Sequence, residues 1–315
     1  MPREESGLAL APLTPLALEL GAEPRVEWGD LRGITLSEPF FDDTVERWAR
    51  TAPRPRRLRT GVDALAVLDH EPAFDPAVLI FHMSRCGSTL VSRLLASHPT
   101  TLVISEPAAL NTLLLAADRS AERHALWLRR LVRALGRAHG ADSRTFVLKL
   151  SSWNVTRIDL FRRAFPAAAL VWLQRRPQEV VSSLVAQEPG WLDLRQSPRL
   201  AERILGVPAA VAATLDAEEF CVRALRAMLE AARTVRDAGA LVVDYSELPT
   251  AIWERVAPFA GIAIDDADAA RMRDASRFHA KDTSGRVFTG DSIRPVSDRV
   301  RALVDALVEP LYRTV

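Results

Sequence analysis

The chain has 315 residues, 48% of them hydrophobic, which suffices for one large α/β domain with an extension or for two small domains. Its 41 basic and 40 acidic side chains leave a formal net charge of +1, which excludes a general nucleic-acid or membrane-surface binder and requires any basic site to be local. Two distant cysteines, Cys86 and Cys221, make neither a disulfide framework nor a cysteine metal site, and the six histidines lack ligand spacing, so no metal is expected.

Residues 1–74 are read as an N-terminal extension or cap and residues 75–315 as the main domain. Arg3, Glu4 and Glu5 open the chain, and the apolar stretch from Leu8 to Leu20 is broken by Pro12, Pro15 and Glu19. Neither a signal peptide nor a membrane span is expected, and the protein is read as soluble and cytoplasmic. Phe40 to Ala49 predicts a short amphipathic helix, and Pro53 to Arg59 a basic connector; no chemistry is evident in the extension.

From residue 75 strand and helix patterns alternate, which predicts a mostly parallel sheet with helices on both faces. Ala77 to Phe81 reads as a buried strand and Ser88 to Ser97 as a helix with Leu90, Val91, Leu94 and Leu95 at helical spacing. Thr101 to Ser105 is a strand followed by Glu106-Pro107. Ser120 to His139 is a helix ended by Gly140, with Leu128, Leu131 and Leu135 on one face and Arg123, Arg129, Arg130, Arg133 and Arg137 on a face expected to be solvated. Thr145 to Leu150 is a strand, Asn154 to Phe165 a helix, Ala168 to Gln174 another strand, and Pro177 opens the next helix. Residues 188–215 are expected to be irregular, a lid or acceptor-binding region containing Trp191. Asp216 caps a long helix reaching Asp237, with Glu219 completing a capping box. Leu241 to Tyr245 is a strand. Two short helices follow, then a loop from Ala280 to Pro295 holding Lys281, Arg286 and Arg294, and a final helix capped by Ser297.

The stretch from residue 77 to 98 organises the rest. Its strand, its short loop Ser84-Arg85-Cys86-Gly87 and its helix form a cradle in which backbone N–H groups and the helix dipole favour an anion, a phosphate or a sulfate. The loop departs from the standard ATP-binding pattern, because Ser88 stands at the lysine position and His82 at the first glycine. It departs from a phosphatase loop too, since six residues rather than five separate Cys86 from Arg93. Ligands of such sheets bind outside the carboxyl ends of the strands, where Arg85, Glu106, Lys149 and Arg175 all fall. Glu106 is either a general base or a cap on the helix that starts beyond Pro107. His82 and His98 are the other candidate bases, His82 also suiting a core position. Cys86, beside Arg85 at a helix start, is placed where a thiolate is favoured, as a nucleophile or a simple loop residue. Trp153 and Trp191 suit stacking on a ring or a place in the core.

These residues resemble the sulfotransferases that use 3′-phosphoadenosine 5′-phosphosulfate (PAPS), especially the branch with the protein-tyrosine sulfotransferases and many bacterial members. Ser84 to Leu90 is similar to that family's 5′-phosphosulfate loop. Leu173 to Pro177 with Ser183 resembles its 3′-phosphate motif, a strand-end Arg followed eight residues later by a Ser. His98-Pro99 with Ser105-Glu106-Pro107 resembles the segment of its catalytic glutamate. Lys149 resembles its leaving-group lysine, and Val243-Asp244-Tyr245 its late strand. The resemblance covers roughly residues 77–248. Cys86 stands where the family usually has Ser, Arg176 where Asp or Asn is common, and the C-terminal basic-glycine loop is echoed only loosely by residues 281–290.

The resemblance implies a P-loop type α/β fold and metal-free sulfuryl transfer from PAPS to a hydroxyl or amine. Cys86, Gly87, Ser88 and Thr89 would hold the 5′-phosphosulfate. Arg85, assisted by Lys149, would stabilise the bridging oxygen, Glu106 would be the base, and Arg175 with Ser183 would hold the 3′-phosphate, completed by Lys281 or Arg286. Two other readings are a degenerate kinase and a non-catalytic nucleotide-binding or interaction protein. The missing lysine and the lack of a clear Mg²⁺-binding Asp oppose the first, and the joint presence of the five charged and hydroxyl groups opposes the second. Residues 188–215 do not distinguish a lipid, sugar, peptide or phenol as acceptor.

Overall fold

The computed structural model describes residues 10, 12–52, 55–70, 74–116, 120–139, 143–282, 285–290 and 296–315. Pro53, Gly140 and Arg294 lie outside them, as do the first nine residues. The fold is α/β. Residues 14–61 form a three-stranded antiparallel sheet, β1 (Thr14–Glu19), β2 (Arg25–Gly29) and β3 (Arg57–Gly61), with helix α1 (Phe41–Thr51) between the last two strands. The main sheet follows: β4 (Val78–His82), α2 (Ser88–Ala96), β5 (Thr101–Ser105), α3 (Ala108–Leu114), α4 (Ala121–His139), β6 (Thr145–Lys149), α5 (Ile158–Ala164), β7 (Ala169–Gln174) and α6 (Pro177–Ala186). Then come α7 (Pro198–Leu205), α8 (Ala217–Asp237), β8 (Leu241–Asp244), α9 (Asp266–Ala275) and α10 (Asp298–Leu307).

The five main strands run in the order β5-β6-β4-β7-β8 and are all parallel. Strand β4 lies at the centre because both its faces are covered: Val78, Leu79, Ile80 and Phe81 have no exposed surface, and such strands read as unbroken apolar runs. The pairs Ile80↔Lys149, Ser105↔Lys149, His82↔Leu173 and Gln174↔Asp244 set the strand ends level. One edge therefore receives residue 83 onward, Glu106, Leu150, Arg175 and Tyr245. The chain turns to one side of β4 for β5 and β6, then to the other for β7 and β8, and ligand crevices form at such reversals.

Three expectations change. Residues 188–215 are helical rather than irregular: a 3₁₀ segment (Gly190–Gln196), α7 and a single turn (Ala209–Ala212) bury Leu192, Leu194, Ala201, Ile204 and Leu205. Their prolines open helices instead of breaking them; Pro198 is in the first turn of α7, which Gly206 ends at φ 66°. Asp216 does cap α8 through the Glu219 N–H, but the Glu219 carboxylate turns to Arg223 (2.9 Å) and Arg299 (2.8 Å) instead of completing a box. The arginines of α4 are not a free face. Arg130 pairs with Asp69, Arg133 with Asp75 (2.6 Å), and Arg129 donates to the Ala164 carbonyl at 2.8 Å.

The Arg130–Asp69 pair and a shared core join the extension to α4. Leu13, Leu16, Trp28 and Trp48 belong to the same hydrophobic core as Leu128 and Leu131. At this seam His139, the last residue of α4, lies 3.3 Å from Thr14 Oγ1 and edge-on to Phe41, and burial pushes its pKa down to about 4. Its folded-state pKa is below the unfolded ~6.5, so its contribution is complete above that value and is lost as pH falls toward 4. Thermal melts from pH 7 to 4 are expected to show wild type losing more stability than His139→Gln, by about 1–3 kcal/mol. Parallel melting curves would contradict this.

Candidate active site

The loop leaving β4 is strained. Ser84 has φ 74° and Arg85 φ 49°, a left-handed conformation that costs of order 1–3 kcal/mol per non-glycine residue and persists only when neighbours impose it. Here they do. Met83 N–H and Cys86 Sγ donate to the Leu173 carbonyl at 3.2 and 3.4 Å, and Ser84 N–H donates to His82 Nδ1 at 3.1 Å. Gly87, at φ 80°, has to be glycine for a second reason: a Cβ would lie 2.6 Å from Leu248 Cδ1 and 3.0 Å from the Tyr245 ring. Helix α2 then begins without a side-chain cap, so its first N–H groups stay available to an anion. The Ser88 and Thr89 hydroxyls have no protein partner among the described residues.

The loop opens on a cavity of about 740 Å³. Ser84, Arg85, Ser88, Thr89, His82, Glu106 and Lys281 line the loop side, and Phe40, Asn111, Ser151, Trp153, Trp191, Leu194 and Leu200 much of the remainder. Of the expected site residues, Arg85, Ser88, Thr89 and Glu106 thus share one cavity. Cys86, Gly87, Lys149, Arg175 and Ser183 lie off its wall.

Lys149 has no exposed surface, and its ammonium pairs with Glu106. Burial pushes the Glu106 carboxyl up, but the Lys149 charge and His82, 3.7 Å away, outweigh it and hold the carboxyl well below the usual range. Glu106 also sits at φ 53°. The extension reaches Lys149 and the helix that follows Glu106. The Phe40 ring lies 5.0 Å from Lys149 Nζ, and Asp42 accepts the Ala108 N–H at 2.9 Å, capping the helix just after Glu106-Pro107. Glu106 is therefore not itself the cap of α3. Lys281 lines the cavity and is solvent-accessible, yet the surrounding protein and the Arg85 and Lys149 charges push its pKa down to about 8.

Arg85 reaches across the loop to Ser183 Oγ (2.7 Å) and Gln187 Oε1 (2.6 Å). Arg175 pairs with Glu179 at 2.8 Å and stacks on Tyr245, its guanidinium 4.1 Å from the ring centroid. Ser183 therefore meets Arg85 rather than Arg175. Arg286 pairs with Asp282 at 3.0 Å, while Lys281 lines the cavity.

Two expectations are corrected. Cys86 is buried at 1% exposure, and burial pushes its thiol up to about 12, so the thiolate that the sequence favoured is suppressed. His98 faces Thr101 Oγ1 (3.0 Å) and Asp268 (3.8 Å) away from the cavity and is no base there. Phe40, Asp42, Asn111 and Ser151 escaped the sequence reading. The extension carried no motif, and Asn111 joins the site through side-chain bonds to Ser151 (2.9 Å) and Asn154 (3.0 Å) from a separate segment.

Solved structures similar to this chain include a sulfotransferase from Mycobacterium avium, 18% identical over 80% of this chain and 81% of that one, with a TM-score of 0.48. A sulfotransferase from Alicyclobacillus acidocaldarius is 14% identical over 76% and 93%, with a TM-score of 0.46. The sulfotransferase domain of the Synechococcus PCC 7002 olefin synthase is 18% identical over 78% and 90%, with a TM-score of 0.42. No protein-family model and no curated protein matches the chain. Among the described residues no helix is long and apolar enough to cross a membrane, and no cluster of three or more His, Cys, Asp or Glu side chains is arranged to hold a metal ion.

The site's groups separate into a half made of helix N–H groups, hydroxyls and cations, and a carboxylate, Glu106, backed by a buried cation. Removing one member of that pair strands the other. Lys149→Met is expected to destabilise the protein by about 3 kcal/mol, with Lys149→Met/Glu106→Gln recovering most of the loss, as denaturant unfolding would measure. Additive losses would show that the two groups do not depend on each other.

Proposed function

We propose that the chain is a sulfotransferase that moves a sulfuryl group from PAPS to a hydroxyl or amine of an acceptor. The observation that carries this reading is a single cavity on which a helix N-terminus without a side-chain cap, two hydroxyls with no partner among the described residues, Arg85 and Lys281 face the carboxylate of Glu106. The first four groups suit an anionic donor, and the last suits the proton of an acceptor. Sulfuryl transfer asks for alignment and charge stabilisation, and a sulfuryl group carries less charge than a phosphoryl group, so fixed cations can serve.

In this scheme the 5′-phosphosulfate rests on the N–H groups of residues 86–89 and the Ser88 and Thr89 hydroxyls. The acceptor oxygen or nitrogen attacks sulfur in line, and the bond from sulfur to the bridging oxygen breaks. That oxygen leaves with its electron pair on 3′-phosphoadenosine 5′-phosphate, where Arg85 offsets the new charge. The acceptor proton passes to Glu106. In the free protein Lys149 suppresses the basicity of Glu106. A phosphosulfate at Ser88 competes for the same ammonium, and as Lys149 turns toward the bridging oxygen Glu106 becomes a stronger base. The 3′-phosphate would be held by Arg175, in exchange for Glu179, and Ser183 would join it on leaving Arg85. The aromatic and apolar wall of Trp153, Trp191, Leu194 and Leu200 is left to the acceptor.

The test is transfer of ³⁵S from labelled PAPS into a panel of lipid, sugar, peptide and phenol acceptors. Wild type is expected to label at least one class. Glu106→Gln and Arg85→Ala are each expected to lower the rate by about 10²-fold or more. A full rate in Glu106→Gln would remove Glu106 as the base, and transfer from ATP with Mg²⁺ instead of PAPS would overturn the reading.

A further inference from the structure

The imidazole of His82 has no part in the scheme above, yet it touches both halves of the site. It is 5% exposed. Nδ1 accepts the Ser84 N–H at 3.1 Å, while Nε2 lies 2.9 Å from the Leu150 carbonyl oxygen and 3.7 Å from Glu106 Oε1. A backbone N–H can donate to Nδ1 only if that nitrogen carries its lone pair. Burial, helped by the Lys149 charge, favours the uncharged ring, so the single proton sits on Nε2 and is donated to Leu150. One ring thus joins two places: the first left-handed residue of the loop, and the residue after Lys149.

Ser84 is the start of the strained pair. Left to itself a serine at φ 74° relaxes to the ordinary right-handed or extended regions, and the N–H groups after it would turn with it. The bond to Nδ1 opposes that relaxation. We propose that His82 is a positioning residue of the donor site: Nδ1 fixes the left-handed turn at Ser84-Arg85, which aims Arg85 and the following N–H groups at the anion, while Nε2–H ties that turn to the strand end bearing Lys149. This rests on the donor reading given above. A histidine that merely filled space would have no use for a distinction between its two nitrogens, and that distinction is what can be measured.

His82→Asn places an amide oxygen near the position of Nδ1 and keeps an acceptor for Ser84 while giving up Nε2. His82→Gln places an amide near the position of Nε2 and gives up Nδ1. Each loses one hydrogen bond and some volume, so similar falls in Tm are expected. With 3′-phosphoadenosine 5′-phosphate as calorimetric probe, the Asn variant is expected to stay within about threefold of wild-type affinity and the Gln variant to bind about tenfold more weakly or worse, the scale of one hydrogen bond. Equal weakening in both, following Tm, or undiminished binding by the Gln variant would overturn the proposal. A second measurement needs no variant to bind: ¹⁵N spectra of histidine-labelled wild type are expected to show His82 as the Nε2–H tautomer at neutral pH. An Nδ1–H tautomer would overturn the proposal even if the nucleotide binds. Failure of wild type to bind the nucleotide, with the Nε2–H tautomer present, would instead strike the donor reading and leave the geometry of the loop intact.

Discussion

Lys149 ends a central strand with no exposed surface, and a buried ammonium is tolerable only against an anion. Much of the site follows from that requirement. Glu106 provides the anion from the end of the neighbouring strand, where the level register of β5 and β6 puts Ser105 opposite Lys149. To bring its carboxylate round, Glu106 takes a left-handed backbone conformation, and Asp42 secures the helix start that follows. Phe40 covers the ammonium. The extension is thus part of the wall around the pair, which explains why it shares one core with the main sheet.

The same pairing governs chemistry. A carboxylate held well below its ordinary pKa is ionised across the physiological range but is a weak base. Basicity returns only when something else claims its cation. In the proposed reaction the donor does so, which couples the arrival of the sulfuryl group to the readiness of the residue that takes the acceptor's proton. The loop side of the cavity is built on a similar economy of strain: two left-handed residues stay in place because His82 and Ser183 each take up one of the loop's hydrogen-bonding groups and the Leu173 carbonyl takes two.

The main sheet was legible because a strand covered on both faces has to be apolar throughout, as residues 78–81 are. Helix α2 and its loop were legible because Gly87 and the run from Ser88 follow local chemistry. The extension's strands were not: Pro15 interrupts β1, and β3, Arg-Leu-Arg-Thr-Gly, lies on an edge and buries little. Residues 188–215 misled because proline marks both loops and helix starts. Within the site, Arg85, Ser88, Thr89 and Glu106 follow strands and could be placed from the sequence by that rule. Phe40 and Asn111 could not, because only tertiary packing brings them there. Cys86 failed for a related reason: its neighbours in sequence favour a thiolate, while its neighbours in space remove the water that a thiolate needs.

The most direct test of the donor assignment is calorimetric titration with 3′-phosphoadenosine 5′-phosphate, compared with 5′-AMP and with ATP and Mg²⁺. The account predicts micromolar binding of the bisphosphate alone, much weakened in Arg175→Ala. Equal affinity for 5′-AMP, or preference for ATP, would contradict it.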